Sequence, residues 1–416
     1  MLRYFIATIF LFFFISNINI IGIGPTSKYM WVLISLISIV FFVFNKNIII
    51  NKNKGFLIFI SLYTAFIFWM LFAYLRSDVS LDSSFSYLTL FLIYISTFFV
   101  IKILLARFSF ENVIIMLSVV YVVQALSVIL FFLNPLFKSW ILNTISDSSN
   151  IDYLVSVRSK GISGSGANIS VYLSIGFFYL LYLIGTVKRK SIVIYSFFGV
   201  SLLLLAIFLS GRTGFVIFGL LIFSFSLFYL IDGKFTRINK KFFIYSSSFL
   251  IILPLAFYFF SFLYGIVFSG GSETIWGDDK LTVVTNWVFS ESNMNTSTIK
   301  FLIDHHIVIN GNWIDLVFGN PDFLASSDNH TDIGYLRMIN DFGIIGFVLY
   351  YFSLFILFIT PIFSNEKISK YMLVGLMVSL FFVEAKEPFL HKHLILSSYL
   401  FAFLVFGVNY KKKSNS

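Results

Sequence analysis

Residues 191–210 read SIVIYSFFGVSLLLLAIFLS, a run of 20 residues without one charged side chain. A helix needs about 20 consecutive apolar residues to cross the hydrocarbon core of a bilayer. A second uncharged run, residues 213–231, follows after only Gly211 and Arg212. The two runs therefore predict a pair of membrane helices joined by a very tight turn.

The composition of the whole chain extends this prediction. Of its 416 residues, 59% are hydrophobic and only 12% are charged, with a mean hydropathy of +0.94. Soluble domains carry about 25% charged residues, and a globule of this size cannot bury so much apolar surface. A soluble enzyme, a nucleic-acid binder and a disordered chain are excluded. Cysteine is absent, so no disulfide, thiolate nucleophile or Cys-ligated metal site exists.

Apolar runs predict an all-α polytopic membrane protein with about twelve transmembrane helices. The first run lacks a small-residue cleavage site, and we interpret it as an anchor, not a removable signal peptide. The runs fall at 5–23, 29–44, 55–75, 85–101, 112–133, 167–187, 191–210, 213–231, 242–263, 343–363, 371–383 and 394–408.

Basic residues set the predicted orientation. Twelve spans divide the connections into two alternating sets, and one set holds 18 of the 29 Lys and Arg with only three acids. The positive-inside rule makes that set cytoplasmic, with both termini inside. The net charge is then +15 inside and −5 outside, so the basicity orients the chain and needs no nucleic-acid partner.

The non-membrane mass lies on the predicted outer side. Residues 1–263 hold spans one to nine with an outer loop at 134–166. Residues 264–342 form a larger outer loop with ten acids and three basic residues, where we expect short helices. Residues 343–416 hold spans ten to twelve and a basic tail. The inner loops are short and the chain contains no G-x-x-x-x-G-K-[ST] motif for ATP, so we expect any chemistry outside.

Two basic, glycine-containing motifs stand at predicted helix starts. The first, Arg158-Ser-Lys160-Gly-Ile-Ser-Gly-Ser-Gly166, combines two cations with glycines that let a ligand approach the backbone, which suits a phosphate or diphosphate. The second, Ser210-Gly-Arg212-Thr-Gly214, places an arginine at the outer interface. The alternatives are a flexible helix start with ordinary interfacial cations and a snorkelling arginine.

The third motif ends the large outer loop with SDNHTDIGYLRMINDFG, residues 327–343. His330 beside Asp332 is a candidate general base, because a carboxylate can orient the imidazole ring. Arg337 lies where the chain re-enters the membrane and can bind an anion. Asp328, His330 and Asp332 are also metal-ligand types, although the pattern is not specific. The alternative is a capped, solvated helix start.

The fourth motif, Glu384-Ala-Lys386-Glu-Pro-Phe-Leu-His-Lys-His393, lies between two short runs. Runs 371–383 and 394–408 would span about 20 and 22 Å as helices, less than the hydrocarbon core of about 30 Å. Unless the helices begin earlier, the charged hairpin is recessed in the outer leaflet, as in a ligand-filled cavity. The alternative is mutual salt-bridging that caps two tilted helices.

Taken in this order, the motifs resemble the O-antigen and capsular polysaccharide repeat-unit polymerases of the Wzy type, which are related to the O-antigen ligases. Locally the resemblance involves Arg158, Ser210–Gly214, the Asp332-Ile-Gly-Tyr-Leu-Arg337 segment with Gly343-Ile-Ile-Gly346, and Glu384-Ala-Lys386. It covers nearly the whole chain as architecture, and implies a GT-C-like glycosyltransferase fold in a bacterial inner membrane.

The resemblance implies transfer of a growing glycan from undecaprenyl diphosphate onto an incoming lipid-linked repeat unit, at the periplasmic face. Related enzymes are regarded as metal-independent, so the resemblance implies no metal or cofactor, and binding of a chain-length regulator is left open by the sequence. Cations would neutralise the leaving diphosphate, and a base would deprotonate the acceptor hydroxyl. The catalytic candidates are His330, Asp332 and Glu384, the diphosphate-binding candidates Arg158, Lys160, Arg212, Arg337 and Lys386, and the sugar-binding candidates Tyr335 and Trp313.

Three other functions stay open. An O-antigen ligase shares the fold and the site types, and His330 does not separate it from a polymerase. A lipid-linked oligosaccharide flippase also has about twelve spans, but ordinarily has short outer loops. A non-catalytic scaffold would explain the large loop and leave the arginines at helix starts without a role. For Trp313, packing inside a small outer subdomain is an alternative to sugar stacking.

Overall fold

The structure is a computed structural model that describes residues 2–44, 54–79, 85–145, 159–211, 213–232, 309, 311–325, 331, 333–363 and 367–414. The described chain is mostly α-helical, and six of its helices are long and apolar enough to cross a membrane. An all-α membrane protein is therefore confirmed as the fold class. The predicted ninth span, 242–263, lies outside the described residues.

In chain order the elements are α1 (Leu2–Ile15), β1 (Asn19–Ile20), β2 (Gly24–Pro25), α2 (Thr26–Phe44), α3 (Lys54–Leu75), α4 (Phe85–Arg107), α5 (Phe110–Leu133), α6 (Pro135–Thr144), β3 (Lys160–Gly161), β4 (Gly164–Ser165), α7 (Gly166–Thr186), α8 (Lys190–Ser210), α9 (Thr213–Asp232), α10 (Trp313–Phe318), α11 (Pro321–Ala325), α12 (Gly334–Phe363), α13 (Lys367–Glu384), a 3₁₀ turn (Phe389–His391) and α14 (His393–Ser414). The six candidate spans lie in α3, α4, α5, α7, α8 and α12.

The chain divides into two compact units. The first unit comprises residues 1–116 and 297–416, and the second comprises residues 117–296. The first of the two boundaries, between residues 116 and 117, falls within α5.

The core of the first unit is aromatic. Phe66 of α3, Tyr87 of α4, and Phe342 and Tyr350 of α12 are fully or almost fully buried. Their ring centroids lie 5.0–5.7 Å apart in mostly tilted and edge-on pairs, the arrangement that aromatic quadrupoles favour. These rings pack α12 against α3 and α4.

The core of the second unit depends on small residues between helices. A Cβ on Gly176 of α7 would lie 2.7 Å from the Cβ of Tyr121 in α5, so the glycine permits that approach. Tyr121 in turn packs on Tyr172 with ring centroids 4.7 Å apart. Small residues bring membrane helices together in this way because lipid supplies no hydrophobic drive for association.

The first helix is shorter than the predicted run 5–23. It ends at Ile15, and residues 19–25 form the antiparallel hairpin β1–β2. Gly22 and Gly24 in this hairpin have positive φ angles of 80° and 89°, a conformation that glycine adopts without steric cost. Apolar composition alone therefore overestimated the length of α1.

Helix α12 begins nine residues earlier than the predicted run 343–363. Its first nine residues contain Arg337 and Asp341. Their charges exclude this segment from an apolar run, but their i,i+4 spacing is favourable in a helix. At Gly343 the backbone leaves the helical region, with φ 67° and ψ 179°. The predicted span and the end of the predicted outer loop are thus one broken helix.

Helices α13 and α14 are also longer than predicted. They have 18 and 22 residues, about 27 and 33 Å at 1.5 Å per residue. Their added turns contain Lys, His and other polar residues, at which the apolar runs stopped. Shortness of these helices is therefore no argument for a recessed hairpin between them.

Candidate functional site

The structure describes six of the ten sequence-predicted site residues. Four lie outside the described residues, namely Arg158, Arg212, His330 and Asp332. Of the six described residues, Lys160 lies in the second unit, and the first unit holds Trp313, Tyr335, Arg337, Glu384 and Lys386.

The cluster in the first unit joins the third and fourth motifs, and we call it the broken-helix cluster (Gly334, Arg337, Asp341 and Glu384). A Cβ on Gly334 would lie 2.5 Å from Oε1 of Glu384 and 2.8 Å from its backbone oxygen. The carboxyl group therefore lies against the first residue of α12, where the helix dipole favours negative charge.

Glu384 itself is fully buried, with 0% exposure. Oε1 accepts a hydrogen bond from the Tyr351 hydroxyl at 2.8 Å, and Oε2 accepts one from the backbone N–H of Leu390 at 2.9 Å. Both oxygens are thus engaged in linking α12, the end of α13 and the hairpin. This geometry favours a positioning role for Glu384, with no direct contact to a substrate.

Arg337 lies one turn into α12 with 47% of its side chain exposed. Its Nε lies 3.8 Å from Oδ2 of Asp341, whose side chain is only 14% exposed. A guanidinium group carries five N–H donors, and an ion pair this long and exposed is weak. Arg337 therefore retains donors for an anionic ligand.

The hairpin after α13 contains one close ion pair. Nζ of Lys392 donates to Oε2 of Glu387 at 2.9 Å, with both side chains about 30% exposed. This contact agrees with the salt-bridging alternative for these two residues. Lys386 is half-buried in the same hairpin, and its backbone N–H donates to the Val383 carbonyl at 2.9 Å.

The two predicted sugar-binding residues differ in their surroundings. Tyr335 donates its hydroxyl to the carbonyl of Phe381, and its ring centroid lies 4.9 Å from that of Tyr351. Its hydroxyl therefore links α12 to α13, and the residue is half-buried. Trp313 begins α10 and is 70% exposed, so its ring face is accessible.

The break at Gly343 is a feature that the sequence analysis missed. Asn320 donates its backbone N–H to the Asn340 carbonyl at 2.8 Å, and Trp69 Nε1 donates to the Phe342 carbonyl at 2.8 Å. Both carbonyls precede the break, so these donors satisfy them within the protein. Irregular backbone is tolerated at membrane depth only where such partners or a cavity exist.

The short helices α10 and α11 dock on the end of α3. The carboxylate of Asp322 accepts the backbone N–H groups of Asp78 and Val79 at 3.0–3.2 Å. Arg76 approaches Asp315 at 3.9 Å and lies over the Phe318 ring at 5.7 Å. Asp322 was not a sequence candidate, although Gly319-Asn-Pro321 before it is a recognisable turn signal.

The cluster in the second unit joins the described parts of the first and second motifs, and we call it the hairpin cluster (Ser159–Ser165 with Leu209–Gly211 and Thr213–Gly214). The backbone N–H of Ser159 donates to the Leu209 carbonyl at 2.9 Å. A Cβ on Gly214 would lie 2.5 Å from the backbone oxygen of Ser170 in α7. The two glycine-containing motifs therefore start neighbouring helices.

Lys160 lies inside the hairpin cluster with 1% exposure. Its strand pairs with β4, where Lys160 faces Ser165. The Ser159 hydroxyl donates to the Val128 carbonyl at 2.6 Å, which holds the strand on α5. Lys160 is therefore part of the packed interior here and is not on an open phosphate-binding surface.

Metal ligation was one alternative for the third motif. Within the described ranges, no group of three His, Asp or Glu side chains is placed to hold a metal ion. The predicted trio Asp328, His330 and Asp332 lies outside those ranges.

Comparison of the chain with models of protein families, with curated proteins and with solved structures finds no match.

Proposed function

We propose that this chain is a membrane glycosyltransferase that polymerises lipid-linked oligosaccharide repeat units at the outer face of the bacterial inner membrane. One observation carries the proposal: the start of α12 and the end of α13 meet at Gly334 and Glu384, and the half-exposed Arg337 lies one turn away. A cation held beside a membrane re-entry point suits an anionic lipid headgroup.

The proposed reaction follows from the chemistry of such a donor. The hydroxyl oxygen of the acceptor repeat unit attacks the anomeric carbon of the growing glycan. The glycosidic bond forms as the bond to undecaprenyl diphosphate breaks, and the diphosphate leaves with the bonding electrons. The hydroxyl proton passes to a base, for which we propose His330 oriented by Asp332.

We assign the arginines to electrostatic stabilisation of the leaving group in this mechanism. Negative charge develops on the leaving diphosphate, and positioned cations stabilise it. Arg337 is the best-supported candidate because its guanidinium group is accessible. Arg158, Arg212 and Lys386 are proposed for the same role.

The described surroundings revise three of the proposed roles. Lys160 and Glu384 are buried, so neither is now proposed to contact the substrate directly, and we assign Glu384 to positioning because both of its oxygens accept hydrogen bonds within the protein. Tyr335 packs two helices together. Trp313 stays the candidate for sugar stacking, since aromatic faces bind the apolar faces of ligands and Trp313 is exposed.

Deletion of the gene and gel analysis of the surface polysaccharide test the proposal. Loss of a polymerase leaves a single-repeat product, whereas loss of a ligase leaves no attached glycan. Accumulation of lipid-linked units on the inner leaflet would instead indicate a flippase.

When the deletion strain is complemented with the Arg337→Ala variant, the variant should be present in the membrane, but the long glycan should still be missing. Arg189→Ala is a matched control, because Arg189 is exposed and its side chain makes no capping bond to α8. A normal chain-length ladder from Arg337→Ala would overturn the assigned role.

A further inference from the structure

A groove of about 780 Å³ lies between α1, α2 and α4 in the first unit. Its volume is within the range of small-molecule sites in proteins. Apolar side chains form its walls, among them Ala7 of α1, Ile37 of α2 and Ile103 of α4. Arg3 and Arg107 are the charged residues that line it.

Both arginines lie at the same end of the groove. Arg3 is in the first turn of α1, and Arg107 is the last residue of α4. The neighbouring rings of Tyr4 and Phe108 have centroids 5.0 Å apart, which brings these two helix ends together. Both arginines are exposed, so their guanidinium groups are accessible to a ligand.

The apolar part of the groove extends over about two thirds of the thickness of one leaflet. From Arg3 to Phe10, which also lines it, α1 rises about 10 Å. Half of a hydrocarbon core is about 15 Å thick. A groove with two cations at one end and apolar walls of this length suits a position that begins at a membrane interface and extends toward the bilayer centre.

We propose that this groove binds an anionic phospholipid, with the phosphate on Arg3 and Arg107 and an acyl chain along the apolar walls. Guanidinium groups suit phosphate because they donate two parallel hydrogen bonds, and basic pockets between membrane helices bind such headgroups. The predicted orientation assigns the lipid to the cytoplasmic leaflet. The site is separate from the broken-helix cluster and does not depend on the proposed polymerase activity.

Native mass spectrometry of the full chain in detergent, titrated with phosphatidylglycerol, tests the site. The double variant Arg3→Gln/Arg107→Gln should bind about thirtyfold more weakly, which corresponds to about 2 kcal/mol. Lys188→Gln/Arg189→Gln removes the same charge from exposed positions on the same predicted face, and should bind as the wild type does. Phosphatidylcholine, which has no net charge, should bind more weakly than phosphatidylglycerol to the wild type.

A second variant tests whether lipid binding requires the groove itself or only the surface charge of the arginines. Ala7→Phe keeps both arginines and fills the groove, so it should also lose phosphatidylglycerol. If that variant does not fold, Ile103→Trp fills the groove from the α4 wall, at a side chain that is 41% exposed. Wild-type binding by a folded groove-filling variant, or equal binding of the two lipids by the wild type, would overturn the proposal.

Discussion

Gly334, the first residue of α12, lies directly against the carboxyl group of Glu384, the last residue of α13. Glycine permits this approach because it has no Cβ. The same carboxyl group accepts hydrogen bonds from Tyr351 and Leu390. One buried acid therefore joins three segments beside the exposed Arg337.

Gly334→Ala should destabilise the protein by about 1–3 kcal/mol, the usual cost of overpacking. The new methyl group would lie 2.5 Å from Oε1 of Glu384 and 2.8 Å from its backbone oxygen, and backbone cannot move aside easily. Denaturant unfolding in detergent measures the change. Gly219→Ala is the control, since nothing lies within 4 Å of a Cβ there, and it should be neutral or stabilising by up to about 1 kcal/mol. Equal stability of the two variants would contradict the close approach.

Gly343→Ala should break the docking of α10 on α12. Its φ of 67° with ψ 179° is a conformation essentially restricted to glycine, and a Cβ would also meet the carbonyl of Val317. Gly22→Ala has a similar φ of 80° with open space around it, and so tests a positive φ without a steric contact. We expect Gly343→Ala to lower the free energy of unfolding by at least about 1 kcal/mol more than Gly22→Ala. Protease sensitivity of the α10 region provides a second measurement, and the same cleavage pattern in both variants would refute the expectation.

Tyr351→Phe should cost about 1–3 kcal/mol, because it removes a donor from a buried carboxyl group. Tyr29→Phe is the control: the Tyr29 hydroxyl also donates to an oxygen at 2.8 Å, but it is exposed, and we expect a loss below about 0.5 kcal/mol. Denaturant midpoints give both values. The cost of Tyr351→Phe should shrink in a Glu384→Gln background, since contacting residues are non-additive. Simple additivity would show that the two side chains do not interact.

Arg337→Ala should separate activity from stability. Its ion pair with Asp341 is 3.8 Å long and partly exposed, so the free energy of unfolding should change by less than about 1 kcal/mol. Loss of one electrostatic donor to the leaving group should slow glycan transfer about 100-fold or more. Transfer from purified lipid-linked repeat units measures the rate, and Arg189→Ala should keep it. A large stability loss with a parallel loss of rate would indicate a structural role for Arg337.

Helix positions were predictable for most unbroken apolar runs, because hydropathy is a local property of the chain, and the run 5–23 is an exception because α1 ends at Ile15. The runs 191–210 and 213–231 correspond to α8 and α9 within one residue at each end. The start of α12 was not predictable in this way, since Arg337 and Asp341 interrupt the apolar run while their side chains pair along one helix face.

The candidate site was predictable as a set of motifs but not as a geometry. Glycines and cations at helix starts indicated where anions could bind. Nothing local distinguished the buried Lys160 from the exposed Arg337, or the packed Tyr335 from the exposed Trp313. Burial depends on which other helix covers a residue, and that partner is often far along the chain.

Composition and local pattern were thus sufficient to place this chain in a bilayer, to position most of its helices and to predict their orientation. The tertiary structure alone decided that Gly334 meets Glu384, that Gly343 breaks α12, and that Trp69 and Asn320 satisfy the carbonyl groups before the break. Burial of apolar surface is favourable residue by residue, because each side chain contributes its own free energy of transfer from water. These contacts join residues 20 to 273 positions apart, and therefore exist only after the helices have packed.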